Sequence, residues 1–391
     1  MESHPMIARD PKCVDGLLEK IWSLAPLVEQ HRDALDRERR LPKPIFDAVV
    51  DADLLRLWVP KGLGGPELSP LDFMQVVEAV SELDASIGWI VGNGAGMSRV
   101  AGYLPESVSR AWFADPRAFV ASATGAVGTA IPVEGGYRVT GRWPFGSGIH
   151  HATRIMGLCS ITRPDNPNSP EVISCHFAPE HVSVTDNWYV SGLRGTGSCD
   201  FEVREVFVSA EHTHDFLAPR PTQPGLLYRM PPVSVFAMTV SVVPLGIARS
   251  AISSFITSAS RKARAGTTLI LRDRETIQSE VGRAEAIQMA ARAFLAEAID
   301  ELMKATEIGG ERLVHARAFF RMACSHAAES AVRIVDMMAA AAGAVAIFET
   351  CALERCVRDV HAAVKHVAMS PNNYIVAGRI RLGLEPGTAR F

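Results

Sequence analysis

The chain is 391 residues long, 48% apolar and 21% charged, with a formal net charge of −3. Such a composition builds packed domains rather than a disordered chain, and its scattered lysines and arginines exclude a nucleic-acid-binding protein. The seven cysteines are widely spaced, which excludes a disulfide scaffold or zinc ribbon and points to reduced thiols in a cytoplasmic protein.

The first segment, "MESHPMIARDPKCVDG", lacks the apolar core of a signal peptide, and no apolar run approaches the roughly 20 residues that span a bilayer. No membrane association is expected. From Val14 to Leu41 the apolar residues Leu17, Ile21, Leu24 and Leu27/Val28 recur at helical spacing, predicting a helix that ends before Pro42. A second helix is read over "PIFDAVVDADLLRLWVP", stopped at Pro60. Ser69-Pro70 opens a third, with serine as cap and proline in the first turn. "DASIGWIVGNGAGMSRVAGYL" is read as a fourth. Its Gly92-Asn93-Gly94 is costly inside a helix and predicts close approach by another helix or a ligand.

The pattern then becomes β-like. "AFVASATG", "GGYRVTGRW", "RIMGLCSIT", "EVISCHFA" and "FEVREVFVS" are short runs separated by Gly, Pro, Asn and Asp. In the second, Tyr137, Val139, Gly141 and Trp143 share one face. Strands without intervening helices predict an antiparallel barrel or sandwich. From about residue 232 the chain is helical again. One long helix carries Ile277, Val281, Ala284, Ile287, Ala291, Phe294, Ala298 and Leu302 on one stripe. The next, alanine-rich helix suits burial on several sides of an up-down bundle. Three domains are expected: helical over 1–115, β over 116–230 and a helical bundle over 231–391.

Several signatures are absent: no phosphate loop of the Walker type, no GxGxxG after a strand, no HExxH and no GxSxG. "GNGAG" (92–96) sits inside a helical run. His212 and His214 lack an evident third partner, so no metal is expected. What remains is "GRWPFGSGIHHA" (141–152), where three glycines, a serine and two histidines follow a strand. Beside it stand the loop "GLRGTGSCD" (192–200), with Arg194 or Ser198 as pocket-edge candidates, and a C-terminal segment carrying His361 and His366.

Six stretches occur in order: "VPKGLGGPELSPLDF" (59–73), "LDASIGWIVGN" (83–93), "VEGGYRVTGRWPFGSGIHHA" (133–152), "WYVSGLRGTGSCDFEVREVFV" (188–208), "VPLGIARSAI" (243–252) and "ERCVRDVHAAVKHV" (354–367). Together they resemble the acyl-CoA dehydrogenase fold, and within it the oxygenase components of two-component flavin monooxygenases. The resemblance implies a mostly α, α+β architecture: an N-terminal helical domain, a central antiparallel β-barrel and a C-terminal four-helix bundle. It also implies a homotetramer, or a dimer of such units, that binds reduced flavin, FMN or FAD, from a separate NAD(P)H–flavin reductase or by free diffusion. A small substrate and O2 would then react through a flavin C4a-hydroperoxide, which needs a dry pocket with few, well-placed donors.

Carried over residue by residue, the resemblance assigns Trp89, Ser122, Phe145, Ser147 and Gly148 to the flavin, with Ser147 near N5 or the substrate. Arg264 and Gln278 would meet flavin phosphate from a neighbouring subunit. His366 becomes the acid/base residue near the reactive side of the ring, a role imidazole fills near neutral pH. An acyl-CoA dehydrogenase, the alternative reading, needs a carboxylate base at one of two places. Here one holds Phe236 and the other reads "HVAMSPNNYIVAG", which contains no acid; Glu349 or Glu354 could substitute if shifted. Phenol hydroxylases of this branch carry a histidine where this chain has Met97. The substrate side is therefore assigned to Met97, His150 and His151, with an aromatic or polyketide ring, an indole, a sulfur heterocycle or an amine as candidate substrates.

Overall fold

The computed structural model describes residues 11–161, 171–261, 270–388 and 391. Helices α1 (Pro11–Ser23), α2 (Ala25–Gln30), α3 (Arg32–Glu38), α4 (Lys43–Asp51), α5 (Pro70–Leu83), α6 (Ala85–Met97) and α7 (Glu106–Phe113) come first. Strands β1 (Val120–Val133), β2 (Gly136–Gly146), β3 (Arg154–Ile161), β4 (Glu171–Phe177), β5 (Ser183–Thr185), β6 (Cys199–Ser209) and β7 (Thr213–Asp215) follow. The chain closes with α8 (Leu226–Arg229), α9 (Pro232–Ser241), α10 (Val243–Ala259), α11 (Glu275–Ile308), α12 (Gly310–Ala342), α13 (Ala352–Ala363) and α14 (Asn372–Arg381).

The single N-terminal helix expected from periodicity is three. It breaks at Leu24 and His31, and Pro26 lies in the first turn of α2. Proline lacks the amide proton that would continue α1. The second expected helix is also shorter, ending at Asp51 before Asp53 turns into the left-handed region at φ 61°. Ser69 does cap α5, its Oγ accepting from the Asp72 amide at 3.1 Å. Gly94 of α6 faces the buried Phe119 ring, with which any Cβ would collide. The close approach predicted at Gly92–Gly94 is thus made by a core phenyl.

The chain groups into two compact units. One comprises Met1–Phe73, Ile90–Tyr189 and Arg194–Val235; the other comprises Met74–Trp89, Val190–Leu193 and Phe236–Phe391. In the first unit the seven strands form one sheet in the order β5-β6-β2-β1-β3-β4-β7. The sheet is open and mixed, which corrects the expected closed antiparallel barrel. β1 runs parallel to β3, pairing Val120 with Arg154 and Ser122 with Met156. The reason lies after β2. Gly148 adopts φ 73° and a 3-10 turn over Ile149–His151 returns the chain beside the far edge of β1. Alternation reveals which face of a strand is buried, but not the direction of its neighbour.

The sheet is anchored by Trp143, which is fully buried. Its indole Nε1 donates to the Leu158 carbonyl at 2.9 Å, and its ring stacks on Phe201 at 5.2 Å. A Cβ on Gly128 or Gly141 would lie 2.5 Å from this indole, and one on Gly157 would lie 2.6 Å away. Three strands give up their side chains to admit one large ring.

In the second unit α11 and α12 are joined at Gly309–Gly310, both at positive φ, and pack together; α10 and α13 pack on α12 and on each other. The buried stripe of α11 runs through Gln288 and Leu295 rather than Ile287 and Phe294. Gln288 lies inside because its Nε2 donates to the Leu245 carbonyl at 2.9 Å. Two helical stretches, Pro232–Ala259 and Gly310–Ile347, have the length and mean hydropathy of a bilayer span, contrary to the sequence expectation. Their interspersed Ser, Thr, Gly and Arg residues hide them from a search for unbroken apolar runs. In the first, 83% of the apolar window is buried inside the protein.

Candidate active site

The turn after β2 is built with strain. Pairing between β2 and β6 shifts register between Trp143 and Gly146, and the bulge leaves Phe145 at φ 65°. A left-handed backbone at a bulky residue costs roughly 1–3 kcal/mol. Burial does not offset it, because the Phe145 ring is 63% exposed. It meets Trp188 edge-on at 6.2 Å. An exposed phenyl held in a strained conformation is a wall in search of a flat ligand.

Two residues after Phe145, Ser147 is buried. Its Oγ lies 2.8 Å from Ser198 Oγ, which lies 2.7 Å from Thr196 Oγ1. The three hydroxyls form a buried, uncharged row. The backbone ties the same two segments together, since the Gly148 amide donates to the Thr196 carbonyl at 2.9 Å. Gly148 cannot carry a side chain. A Cβ would sit 2.6 Å from Phe119 Cζ and 2.9 Å from Ile90 Cδ1, and its φ of 73° already favours glycine. The loop is also held from its far end. Arg39, left-handed at the end of α3, grips both Asp186 carboxylate oxygens at 2.6 and 2.9 Å, and its guanidinium lies 3.9 Å from the Tyr189 ring centroid. The sequence reading missed Thr196 and Arg39. Hydroxyls two apart around Gly197 were the only signal for the first; nothing local marks the second.

The remaining first-unit candidates spread around this turn. His150 is exposed, with Nε2 3.6 Å from Cys199 Sγ. His151 turns inward and stacks on Phe46 at 4.2 Å, and burial together with the neighbouring His150 lowers its imidazole to about 4. Met97 is buried at the end of α6. Ser122 is half-buried on β1. Arg264 lies outside the described residues; in the second unit, Gln278 is exposed, its Nε2 donating to the Arg272 carbonyl at 3.1 Å. His212 and His214 meet a third histidine, His176, whose Nε2 is 3.4 Å from His214 Nδ1. Burial holds His214 near 3 and His176 well below the usual range, so both rings pack as neutral aromatics beside Tyr103 and Trp112. Among the described residues no three His, Cys, Asp or Glu side chains converge as a metal-binding group.

The second unit holds Trp89 and His366 together. Their rings meet edge-on at 5.7 Å. Asp84 starts α6, accepting from the Ser86 and Ile87 amides at 2.9 and 3.2 Å, and so fixes the helix that carries Trp89. His366 Nδ1 accepts from the Ala368 amide at 3.2 Å. Burial lowers the ring to about 4, so it is neutral at pH 7. A neutral imidazole that accepts through Nδ1 carries its proton on Nε2. His366 therefore presents an N–H donor rather than a free base. It borders a cavity of about 1020 Å³ with Val332, Asp336, Met337, Lys365 and Met369.

Behind the pair lie two buried carboxyls. Asp84 Oδ2 is 3.6 Å from Arg355 Nη1, and Asp359 accepts from the Leu193 amide at 2.7 Å. Burial, reinforced by the Asp84 charge, raises Asp359 to about 7. A carboxyl raised in the folded state contributes stability that is fully present below the unfolded value of 3.8 and is lost as pH rises through about 7. Asp359→Asn keeps the acceptor for Leu193 and removes the buried charge. The variant is expected to flatten the fall in unfolding free energy between about pH 4 and pH 7 by an amount on the order of a few kcal/mol, seen as a smaller drop in melting temperature over that range. An unchanged pH slope in thermal melts rules this account out.

Comparison with known proteins supplies the context. Residues 24–114 match the acyl-CoA dehydrogenase N-terminal domain, and residues 238–371 match the acyl-CoA dehydrogenase C-terminal domain. The chain belongs to the acyl-CoA dehydrogenase family. The indole-3-acetate monooxygenase of Pseudomonas putida is 29% identical over 373 residues, 95% of this chain and 94% of the relative. The flavin-dependent monooxygenase oxygenase subunit HsaA of Mycobacterium tuberculosis is 27% identical over 387 residues, 95% and 96% of the two chains. The solved structure of XiaF from Streptomyces sp., in complex with FADH2 and glycerol, aligns at a TM-score of 0.86 with 25% identity, covering 97% of this chain and 98% of that one.

For a member of this family the acids matter by position. Phe236 occupies one expected base position. Of the two acids that could substitute, Glu349 is exposed and Glu354 pairs with Arg358 at 3.0 Å. Glu354 is thus held in an ion pair, and Glu349 is a solvent-exposed carboxylate. The residues around Ser147 fit a flavin. Phe145 offers an uncovered aromatic face, and the hydroxyl row is polar without charge.

Proposed function

We propose that this chain is the oxygenase component of a two-component flavin-dependent monooxygenase. It takes reduced FMN or FAD from a separate NAD(P)H–flavin reductase and oxygenates a small aromatic substrate at carbon, nitrogen or sulfur. The observation that carries this reading is the replacement of a catalytic carboxylate by neutral donors: the buried row Ser147–Ser198–Thr196 and the neutral His366. The near-full-length similarity to proteins named as monooxygenases supports it. Bound reduced flavin supplies the two electrons that activate O2; one oxygen atom enters the product and the other leaves as water.

The chain's own residues protect and direct that chemistry. Phe145 and Trp89 keep water from the ring, the Gly148 backbone approaches it, and Ser122 and Ser147 hydrogen-bond its edge without adding charge. Arg264 contributes to the flavin phosphates. His366 Nε2–H holds a proton for a developing oxyanion, and Met97, His150 and His151 shape the substrate side. In the same reading the sheet is the counterpart of the family's β-barrel and α10–α13 are its four-helix bundle. The working form is a homotetramer in the cytoplasm.

The test is a stopped-flow experiment on the purified protein with chemically reduced FMN or FAD, then oxygen. The reduced flavin is expected to bind, and the oxidised flavin spectrum to return only after a lag. One ¹⁸O atom from labelled O2 should appear in an accepted aromatic product. Immediate reoxidation, together with bleaching of oxidised flavin by an acyl-CoA, would overturn the reading in favour of a dehydrogenase.

A further inference from the structure

We propose that Arg39 is a positioning residue for the site around Phe145: its guanidinium sets the 186–189 loop so that the Trp188 indole stands against the Phe145 ring. The inference rests on the flavin reading given above and adds to it a residue that acts through another. Its observations are the contacts that converge on one guanidinium. Nη1 donates to Asp186 Oδ1 at 2.6 Å and to the Trp188 carbonyl at 3.4 Å. Nη2 donates to Asp186 Oδ2 at 2.9 Å, and the guanidinium carbon lies 3.9 Å from the Tyr189 ring centroid.

An exposed ion pair contributes little by itself, because water screens it and two side chains must be held in one geometry. This pair does more. The planar fork meets both carboxylate oxygens, a further N–H takes the Trp188 backbone, and the flat face lies on Tyr189. The loop needs such a clamp because it lies beyond Thr185, the last residue of β5 that pairs with β6. Within it, the Tyr189 hydroxyl donates to Asp186 Oδ2 at 3.3 Å, and Asn187 Oδ1 accepts from the Asp200 amide at 3.0 Å. What these contacts place is the Trp188 indole, edge-on to Phe145 at 6.2 Å. The Arg39 backbone serves a second loop. It is left-handed at φ 52°, a strained conformation for a residue with a Cβ. Its carbonyl oxygen lies against Gly197, where a Cβ would be 3.0 Å away. Gly197 separates Thr196 from Ser198. One residue at the end of α3 therefore touches both loops that meet the Phe145–Ser147 turn, the first with its side chain and the second with its backbone.

Lysine keeps the charge and the backbone but cannot meet two carboxylate oxygens, a carbonyl and a ring face at once. Arg39→Lys is therefore expected to loosen the loop and weaken binding of reduced flavin about tenfold, an ordinary coupling between linked side chains. Asp186→Asn breaks the same clamp from the other side and leaves α3 untouched, so a similar loss is expected. Because Arg39 acts through Trp188, neither loss should recur once Trp188 is alanine.

The experiment is a double-mutant cycle. Anaerobic titration gives the dissociation constants of reduced FMN and FAD for the wild type, Arg39→Lys, Asp186→Asn, Trp188→Ala and the two double variants that carry Trp188→Ala. Positioning predicts a loss of about tenfold from Arg39→Lys when Trp188 is present and less than about twofold when it is not. The same loss in both backgrounds, or none in the first, overturns it. Hydrogen exchange of the flavin-free protein tests the clamp itself. The Asn187, Tyr189 and Asp200 amides, which donate within the loop, should exchange faster in Arg39→Lys and Asp186→Asn. Unchanged exchange overturns the proposal whatever the flavin does. Failure of the wild type to bind reduced flavin, with faster exchange in the variants, overturns the underlying functional reading instead.

Discussion

Replacing His366 by alanine is expected to lower turnover about 10²–10³-fold, the usual cost of removing one donor aimed at a developing oxyanion. The same change removes the acceptor for the Ala368 amide, a cap whose loss costs about 1 kcal/mol of stability. The two effects separate with His366→Asn. Its carbonyl can keep the Ala368 contact, so the melting temperature should return to the wild-type value while turnover recovers only in part. The pH profile distinguishes donor from base. Because burial lowers His366 to about 4, its neutral form persists from pH 8 down to about 5, and activity should show no step from this residue in that range. Protonation below that point also removes its cap acceptor, so stability held by the neutral ring is lost as pH falls from 6.5 through about 4. A step near 6.5 that disappears in the His366 variants would show a titrating base and sink the donor assignment.

Trp143→Ala is expected to remove about 3–5 kcal/mol, the range for deleting a buried large aromatic side chain. The site has little means of collapse. Its nearest lining is backbone at Gly128, Gly141 and Gly157, and the sheet register holds those strands apart. Trp143→Phe should cost less, because the phenyl retains contact with Phe201, although the Leu158 carbonyl still loses its donor. Chemical denaturation followed by circular dichroism measures both. A loss below 1 kcal/mol for Trp143→Ala would mean that the glycine-lined slot closes and does not anchor the sheet. Trp143 lies two residues before the strained Phe145, so loss of the anchor should also weaken flavin binding.

The part of the candidate site that was legible is the part whose chemistry is local. Glycines beside a serine after an alternating strand mark a turn that approaches something closely, and Phe145, Ser147 and Gly148 fall within four consecutive residues. Thr196 and Ser198 were only half legible: their loop reads as a turn, but nothing in it names Ser147 as the partner 51 residues away. Arg39 was illegible. It looks like any basic residue near a helix end, and only the fold brings Asp186 to it across 147 residues.

The sequence by itself determined the element types, the buried face of β2 through Val139 and Trp143, the cap at Ser69 and the family. Each depends on residues within a turn or two, or on motifs in a set order. Only the tertiary structure decided that β3 returns parallel to β1, that Gly94 serves Phe119 and that Ser147, Ser198 and Thr196 bring three hydroxyls into one row. It also decided the state of His366. The sequence offers an imidazole with an ordinary affinity for protons; burial and one backbone amide make it a neutral donor. Periodicity and propensity are local properties of the chain, whereas strand direction, desolvation and the choice of a hydrogen-bond partner depend on which distant residues arrive.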